Sequence, residues 1–333
     1  MNGRAPVLEV DRLTVAFDGF HAVDDLSFAV GAGETLAIAG ESGSGKSMTA
    51  LAVMGLAPRE AKVSARSIRL AGREIAGLPD HEMRRLRGSE IGLIFQEPMT
   101  ALNPVMTIGE QIAETVRIHL GLPKRAAWRR AVELLDLLRV RDPQLLAREY
   151  PHRLSGGMRQ RVVIAIAIAA NPKLVIADEA TTALDVTIQA EVLELLDRLR
   201  RELELGLILI THDLGIVGQW ADRVVVMYAG RQVEQGEPRA LFSNPRHPYT
   251  AGLVGAAPPR GEISGDGALG YRQAALKEIP GSIAGAAREA GCRFAPRCAR
   301  AIASCRVAPP PALVPVAPGR LAACPVVNAS VAA

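Results

Sequence analysis

Hydrophobic and polar positions along the chain fall into two regimes. In the strand regime, LEVDRLTVAF (8–17) alternates loosely, and LSFAV (26–30) follows a Gly-Phe-His turn region. TLAIAG (35–40), LVIADE (174–179) and LILITHD (207–213) contain short continuous apolar runs, the pattern of strands buried in a parallel sheet. RSIRLAGREIAG (66–77) predicts a hairpin with Gly72 near its turn, and VVVMYAG followed by RQVEQG (224–236) predicts a closing strand pair. In the helical regime, IGEQIAETVRIHL (108–120) and RAAWRRAVELLDLLRV (125–140) place apolar residues at three- and four-residue spacing, as amphipathic helices do. VVIAIAIAA (162–170) predicts a largely buried helix. Ile188, Val192, Leu195, Leu196, Leu199 and Leu203 form one helical stripe.

The character of the chain changes twice. From about Pro98 to Arg153 it is helical and punctuated by Pro104, Pro123, Pro143 and Pro151. Beyond about Gly236 it turns to Pro, Gly, Ala and Arg, with eleven Lys/Arg against five Asp/Glu, so this tail carries about +6 and the remainder about −2. A length of 333 residues suits about two domains. With 49 % apolar and 22 % charged residues the chain can bury a core. Aromatics at 4 % argue against an aromatic-lined sugar or single-strand nucleic-acid groove, and a net charge of +4 does not call for nucleic acid. No apolar run reaches the roughly 18–20 residues needed to span a bilayer. The nearest, Val162 to Ala170, is cut off by Asn171, Pro172 and Lys173. The first residues lack the apolar core of a signal peptide. The expectation is a soluble cytoplasmic chain whose membrane role comes through partners.

Gly40-Glu41-Ser42-Gly43-Ser44-Gly45-Lys46-Ser47 fits GxxxxGK[ST], after a buried strand and before a helix that starts SMTALAVMGL. Glycines there let backbone N–H groups wrap phosphates, and the helix adds its positive end. Lys46 can pair with the β- and γ-phosphates, and the Ser47 hydroxyl can ligate Mg²⁺. An apolar strand ending in Asp178 and Glu179 can set one acid beside the metal and leave the other to polarise the attacking water. Leu154-Ser155-Gly156-Gly157-Met158 opens another helix and forms a second anion site.

With these elements the chain resembles the ATP-binding-cassette ATPases. LSGGM resembles their signature, whose common form ends in Gln. Gln96 in FQEP matches the Q-loop, Thr182-Ala183-Leu184-Asp185 the D-loop, and His212 in ITHD the switch histidine. Phe17 matches the aromatic that stacks on adenine, with Phe20 a rival. The resemblance implies an α/β fold: a P-loop NTPase (RecA-like) core with an antiparallel β subdomain and a helical subdomain, plus a small irregular C-terminal extension. The implied division is 1–235 for the ATPase, with the helical subdomain at about 98–157, and 236–333 for the extension. Residues Gly40 to Lys46, Ser47 and Met48 would bind ATP together with Phe17. Ser47, Gln96 and Asp178 would serve Mg²⁺, and Glu179, His212 and Gln96 would be catalytic. Family members dimerise head to tail, so Ser155, Gly156, Gly157 and Met158 would hold the partner's ATP and Asp185 would couple the two sites. Ala180 departs from a common proline, at a position with no reacting group.

Longer stretches narrow the resemblance to the peptide/nickel importer branch: GESGSGKSMTALAVMGL, IFQEPMTALNPVMTIGEQIAE, the segment from YPHRLSGGM to EVLELL, and NPRHPYTAGL (244–253). This branch implies a second, related ATPase (a heterodimer ahead of a homodimer), two transmembrane permeases, an external solute-binding protein, and a peripheral place on the cytoplasmic face of the membrane, with no nucleic-acid partner. Cys292, Cys298, Cys305 and Cys324 stand in a tail whose GCRFAPRC resembles that of the branch. Four thiolates can ligate a [4Fe–4S] cluster or Zn²⁺. The gaps lack CxxC pairs, and the branch resemblance favours iron–sulfur. The function expected is ATP hydrolysis energising import of di- or oligopeptides or a similar polar solute. The rivals are a soluble cassette ATPase acting on nucleic acid or ribosomes, and an exporter ATPase.

Overall fold

A computed structural model describes residues 5–95, 97–181, 184–256 and 279–327. The chain divides into two compact units: Met1–Val15, Asp25–Leu36 and Ser47–Ile210 form one, and Ala16–Asp24, Ala37–Lys46 and Thr211–Ala333 the other.

The chain begins with strands β1 (Pro6–Phe17) and β2 (Phe20–Gly31). Within the first unit their inward residues are Leu8, Val10, Leu13 and Val15 on β1, and Leu26, Phe28 and Val30 on β2. The step of three from Val10 to Leu13 breaks strict alternation. Arg12 and Asp25 both adopt positive φ (55° and 56°), and Arg12 Nε donates to Asp25 Oδ1 at 2.8 Å. Such kinks shift which residues face the core, which explains why the sequence alternates only loosely. The chain continues through β3 (Thr35–Ala39), all five residues buried, to α1 (Lys46–Val53). Next come β4 (Lys62–Ser64), β5 (Ser67–Leu70) and β6 (Arg73–Glu74). The antiparallel sheet runs β2-β1-β5-β6 with β4 also on β1, and Leu8 faces Leu70. The predicted hairpin turns at Ala71 and Gly72, both at positive φ.

After α2 (Asp80–Leu86), β7 (Ile91–Ile94) leads into the helical stretch: α3 (Pro98–Ala101), α4 (Ile108–Leu120), α5 (Lys124–Leu137) and α6 (Pro143–Leu146). The Thr107 hydroxyl accepts from Glu110 N at the start of α4, and Gly121 ends it in the left-handed conformation. Ile112 and Val116 of α4 and Ala127, Ala131, Leu134 and Leu135 of α5 are buried, the faces their spacing predicted. α7 (Gly156–Ile168) is the buried helix expected at 162–170. β8 (Leu174–Asp178) and β9 (Gly206–Thr211) flank α8 (Val186–Glu202). β7, β8 and β9 pair in parallel, with Ile176 between Leu93 and Ile208. The α8 stripe holds at Val192, Leu195, Leu196 and Leu199 and adds Leu193, but Leu203 is exposed: it is the residue at which the helix ends.

In the second unit, α9 (Leu214–Trp220) precedes β10 (Arg223–Tyr228) and β11 (Arg231–Gly236), which pair antiparallel as predicted across Ala229 and Gly230. α10 (Pro238–Ser243) and α11 (Pro248–Ala256) follow. The tail returns as β12 (Val314–Ala317) and β13 (Arg320–Ala322), and β13 pairs with β11. The core of this unit gathers Val224, Val226, Tyr228, Leu241, Tyr249 and Phe294, with Cys292 and Cys298 packed against it. The extension is thus built partly into a sheet and a core.

Candidate functional site

The phosphate loop lies in the second unit, between β3 and α1. Gly40 and Gly45 are obligatory there for steric reasons: a Cβ would lie 2.2 Å from Met227 O at Gly40 and 2.3 Å from Ala22 O at Gly45. Lys46 is buried, and its Nζ donates to Gly40 O at 2.9 Å and Glu41 O at 3.0 Å. Ser44 N donates to Glu41 O, and Gly230 N donates to Ser44 O at 2.9 Å. The loop is therefore curled around its own lysine, whose charge stands against the loop carbonyls of Gly40 and Glu41.

In the first unit, Ser47 Oγ donates to Asp178 Oδ1 at 2.9 Å, bringing together two residues 131 apart in sequence. A hydroxyl and a carboxylate are hard oxygen donors, which suits Mg²⁺. Glu179 follows with φ +46°, an unusual conformation for a residue other than glycine, and its N–H donates to Ile210 O at 3.0 Å. Ala180, where many relatives of the resembled family carry proline, is buried. The Ser155 hydroxyl caps α7 by accepting from Met158 N at 3.4 Å. Gly157 sits where a Cβ would be 2.8 Å from Ile188 Cγ2, so this glycine also serves the packing of α7 on α8. Asp185 caps α8, accepting from Thr187 N at 3.1 Å and Ile188 N at 3.0 Å.

His212 is exposed, directly after β9, beside the Asp213 cap of α9. Phe17 and Phe20 stack on each other with ring centres 5.3 Å apart, so the two rivals for the adenine form one aromatic face. Gln96 of the Q-loop, and Thr182 and Ala183 of the D-loop, lie outside the described residues. Three residues outside the loop were not expected at it. Glu41 N donates to the Tyr249 hydroxyl at 2.8 Å, and the Glu41 carboxylate receives both terminal nitrogens of Arg297 at 2.8 and 3.2 Å. Arg293 Nη1 donates to Ala229 O, next to the Gly230 that touches Ser44. Tyr249 stands in NPRHPYTAGL and the two arginines in GCRFAPRC, but no spacing connects residues 208 and 256 apart.

The four cysteines are free thiols in the second unit, with Cys305 and Cys324 buried. Cys292 N donates to Cys305 O at 2.8 Å. Burial pushes the Cys292 thiol up to about 11, and the other three sulfurs add repulsion. Burial also raises Cys298. Among the described residues no three His, Cys, Asp or Glu side chains are arranged to hold a metal ion, so the expected iron–sulfur or zinc centre has no support in this geometry. Among the described residues no helix is long and apolar enough to cross a membrane.

A glycine loop wrapped on a lysine, and a serine bonded to the acid of a parallel strand, define a P-loop NTPase. Residues 23–182 match the family described as ABC transporter, and residues 233–305 match the oligopeptide/dipeptide transporter C-terminal region. A peptide import ATP-binding protein of Brucella melitensis biotype 1 is 48 % identical over 319 residues, spanning 92 % of this chain and 94 % of its own. One of Brucella abortus strain 2308 is 50 % identical over 326 residues, spanning 96 % and 95 %. The chain belongs to the ABC transporter family of ATP-binding proteins. Among solved structures, the ATP-binding cassette MJ0796, a dimer in a post-hydrolysis state bound to ADP and Pi, is 26 % identical with a TM-score of 0.62, covering 70 % of this chain and 99 % of that one. The cbiO1 protein of Clostridium perfringens, part of the transporter complex cbiONQ, is 29 % identical with a TM-score of 0.63, covering 72 % and 91 %.

Proposed function

We propose that this chain is the ATP-hydrolysing subunit that energises an ABC importer of di- or oligopeptides. The observation that carries the ATPase is the Ser47–Asp178 pair at the end of the lysine-wrapped loop. The peptide assignment is supported by the C-terminal match at 233–305 and by the names of relatives about half identical over nearly the whole chain. These matches also support keeping 1–235 as the ATPase and 236–333 as its importer-type extension.

Gly40 to Ser47 and Met48 bind the ATP phosphates, and Phe17 meets the adenine. Ser47, Asp178 and Gln96 would hold Mg²⁺, which would supply charge neutralisation at the phosphates. Glu179 accepts the proton of the attacking water, and His212 contacts the γ-phosphate. Ser155, Gly156, Gly157 and Met158 face the ATP of a second ATPase subunit, with Asp185 coupling the two. That subunit is a related, non-identical chain. Two permeases and an external solute-binding protein complete the importer, and this chain lies peripherally on the cytoplasmic face of the membrane. The four cysteines take up a [4Fe–4S] cluster, or Zn²⁺ in its place. The support is their donor chemistry alone, four thiols in one tail.

The test is purification of the tagged protein from gently solubilised membranes, with mass spectrometry of its companions. The expected result is two multi-span permeases and a second ATPase. Recovery only from the soluble fraction, with ribosomal or DNA-bound companions, overturns the importer.

A further inference from the structure

We propose that Arg297 is a positioning residue of the ATP site, bracing Glu41 of the phosphate loop from the Cys292–Cys298 segment of the tail. All the residues concerned lie in one compact unit. Arg297 Nη1 and Nη2 reach the two Glu41 carboxylate oxygens at 2.8 and 3.2 Å. The arginine is pinned from behind: Nε donates to Pro280 O at 2.7 Å, Nη2 to Ile279 O at 3.0 Å, and Nη1 to the Tyr228 hydroxyl at 3.3 Å. Its guanidinium lies over the Tyr228 ring at 5.7 Å and the Phe294 ring at 5.9 Å. The Arg297 side chain is 7 % exposed and that of Glu41 26 %, so this is a bidentate, largely desolvated pair and not a weak surface contact.

Two further observations make the pair a brace for the loop. Glu41 is held at its other polar atoms as well, its N–H by Tyr249 and its carbonyl by Lys46, so Arg297 completes the fixing of one loop residue. The same tail segment also grips the turn that supports the loop. Arg293 donates to Ala229 O and to Asp24, whose N–H donates to Gly230 O, and Gly230 N donates to Ser44 O. Phe294, between the two arginines, packs on Tyr228 and Tyr249.

The chemistry follows from charge and entropy. A loop with glycines at 40, 43 and 45 loses much backbone freedom when it closes on phosphates. Fixing Glu41 and Ser44 beforehand lowers that cost. Glu41 is also an acid inside an anion-binding loop, and an unpaired carboxylate there repels ATP. Arg297 neutralises it. The brace rests on the ATPase reading and acts on nucleotide affinity, not on the attacking water.

The experiment measures ATP turnover and binding of a fluorescent ATP analogue by the full chain. Arg297→Gln is expected to raise KM for ATP and Kd for the analogue about tenfold or more, with kcat at saturation within about twofold. Arg297→Lys, which keeps the charge and loses the fork, is expected between this variant and wild type. The distinguishing readout is a cycle with Glu41→Gln alone and Glu41→Gln combined with Arg297→Gln: an arginine that acts through Glu41 gives two variants whose affinities agree within about twofold. A merely structural arginine lowers affinity by the same factor with or without the Glu41 carboxylate, and that result overturns the brace. So does unchanged affinity in a folded Arg297→Gln chain. If Arg297→Gln fails to fold, Arg297→Lys with wild-type affinity overturns it instead. Wild-type protein that binds the analogue without hydrolysing ATP strikes the ATPase reading alone, and the affinity comparison still judges the brace.

Discussion

The Tyr249 hydroxyl accepts a hydrogen bond from the Glu41 backbone N–H at 2.8 Å, across 208 residues of sequence. Tyr249 itself is buried, and burial raises its phenol well above the ordinary range, so it stays protonated. Tyr249→Phe keeps the ring and removes the acceptor, leaving a loop N–H without its protein partner. The cost is about 1–2 kcal/mol of stability. Because the unpaired group is in the phosphate loop, KM for ATP is expected to rise about 3- to 10-fold with kcat nearly unchanged. Steady-state kinetics beside a urea titration check both. An unaltered KM would remove Tyr249 from the site.

Glu179 is placed by a strained backbone and by the bond from its N–H to Ile210 O. Glu179→Gln preserves size and removes the basic oxygen. Turnover is expected to fall about 10²- to 10⁴-fold while nucleotide still binds. Radiolabelled ATP retained on the protein without release of phosphate is the readout. Turnover at the wild-type rate would reassign the base.

Much of this site was legible in the sequence because local patterns carry it. The apolar runs at 35–39, 174–177 and 207–210 are buried strands, and the motif residues stand at their ends. The Ala71-Gly72 and Ala229-Gly230 turns follow the same local logic. What escaped is what depends on distant partners. The Arg12–Asp25 kinks arise between two strands, and nothing in either strand alone announces them. The Pro, Gly and Ala content of the extension shows no strand or helix pattern, yet β13 pairs with β11 and Phe294 enters an aromatic core. Gly157 read as an anion-site glycine, and its packing against Ile188 is visible only in three dimensions. Cysteine spacing, in turn, could not report how the four sulfurs are arranged.

The thiols give a direct check on the metal. If the four cysteines hold the proposed cluster, anaerobic purification yields about four iron and four acid-labile sulfide per chain. Stoichiometric zinc without sulfide selects the alternative, and neither metal removes the centre. In chelator-stripped protein, Cys292, pushed up to about 11 from 9.0, is expected to alkylate about 100-fold more slowly than an ordinary thiol at pH 8. Timed iodoacetamide labelling with peptide mapping measures it.

Glu234 ties the extension to β11. It is fully buried and accepts from Arg246 N and His247 N, each at 2.9 Å, and from Arg320 Nη2 at 2.8 Å. Arg320 lies on β13 and is itself buried. Removing one partner of such a pair strands the other charge, so Arg320→Met is expected to cost about 3–5 kcal/mol. Replacing both, as Glu234→Gln with Arg320→Met, is expected to cost less than the single change. Chemical denaturation of the three proteins decides, and an Arg320→Met protein as stable as wild type would show that the pair does not hold the tail.

His247, next to that pair, is buried, and its Nδ1 accepts from Tyr249 N at 3.1 Å. Burial lowers its pKa from 6.5 to about 3, so the folded chain keeps the ring neutral. Below pH 6.5 the unfolded chain takes up a proton that the folded chain refuses. The contribution is therefore fully present above pH 6.5 and is lost as the pH falls toward 3, at about 1.4 kcal/mol per unit. His247→Gln keeps an acceptor and removes the titration. Between pH 7 and pH 5 the wild-type protein is expected to lose about 2 kcal/mol more than this variant. Urea midpoints at the two pH values measure the difference. Parallel curves would mean that His247 takes up its proton equally in both states, which a ring shut away beside Tyr249 and Phe294 cannot do without the local structure opening.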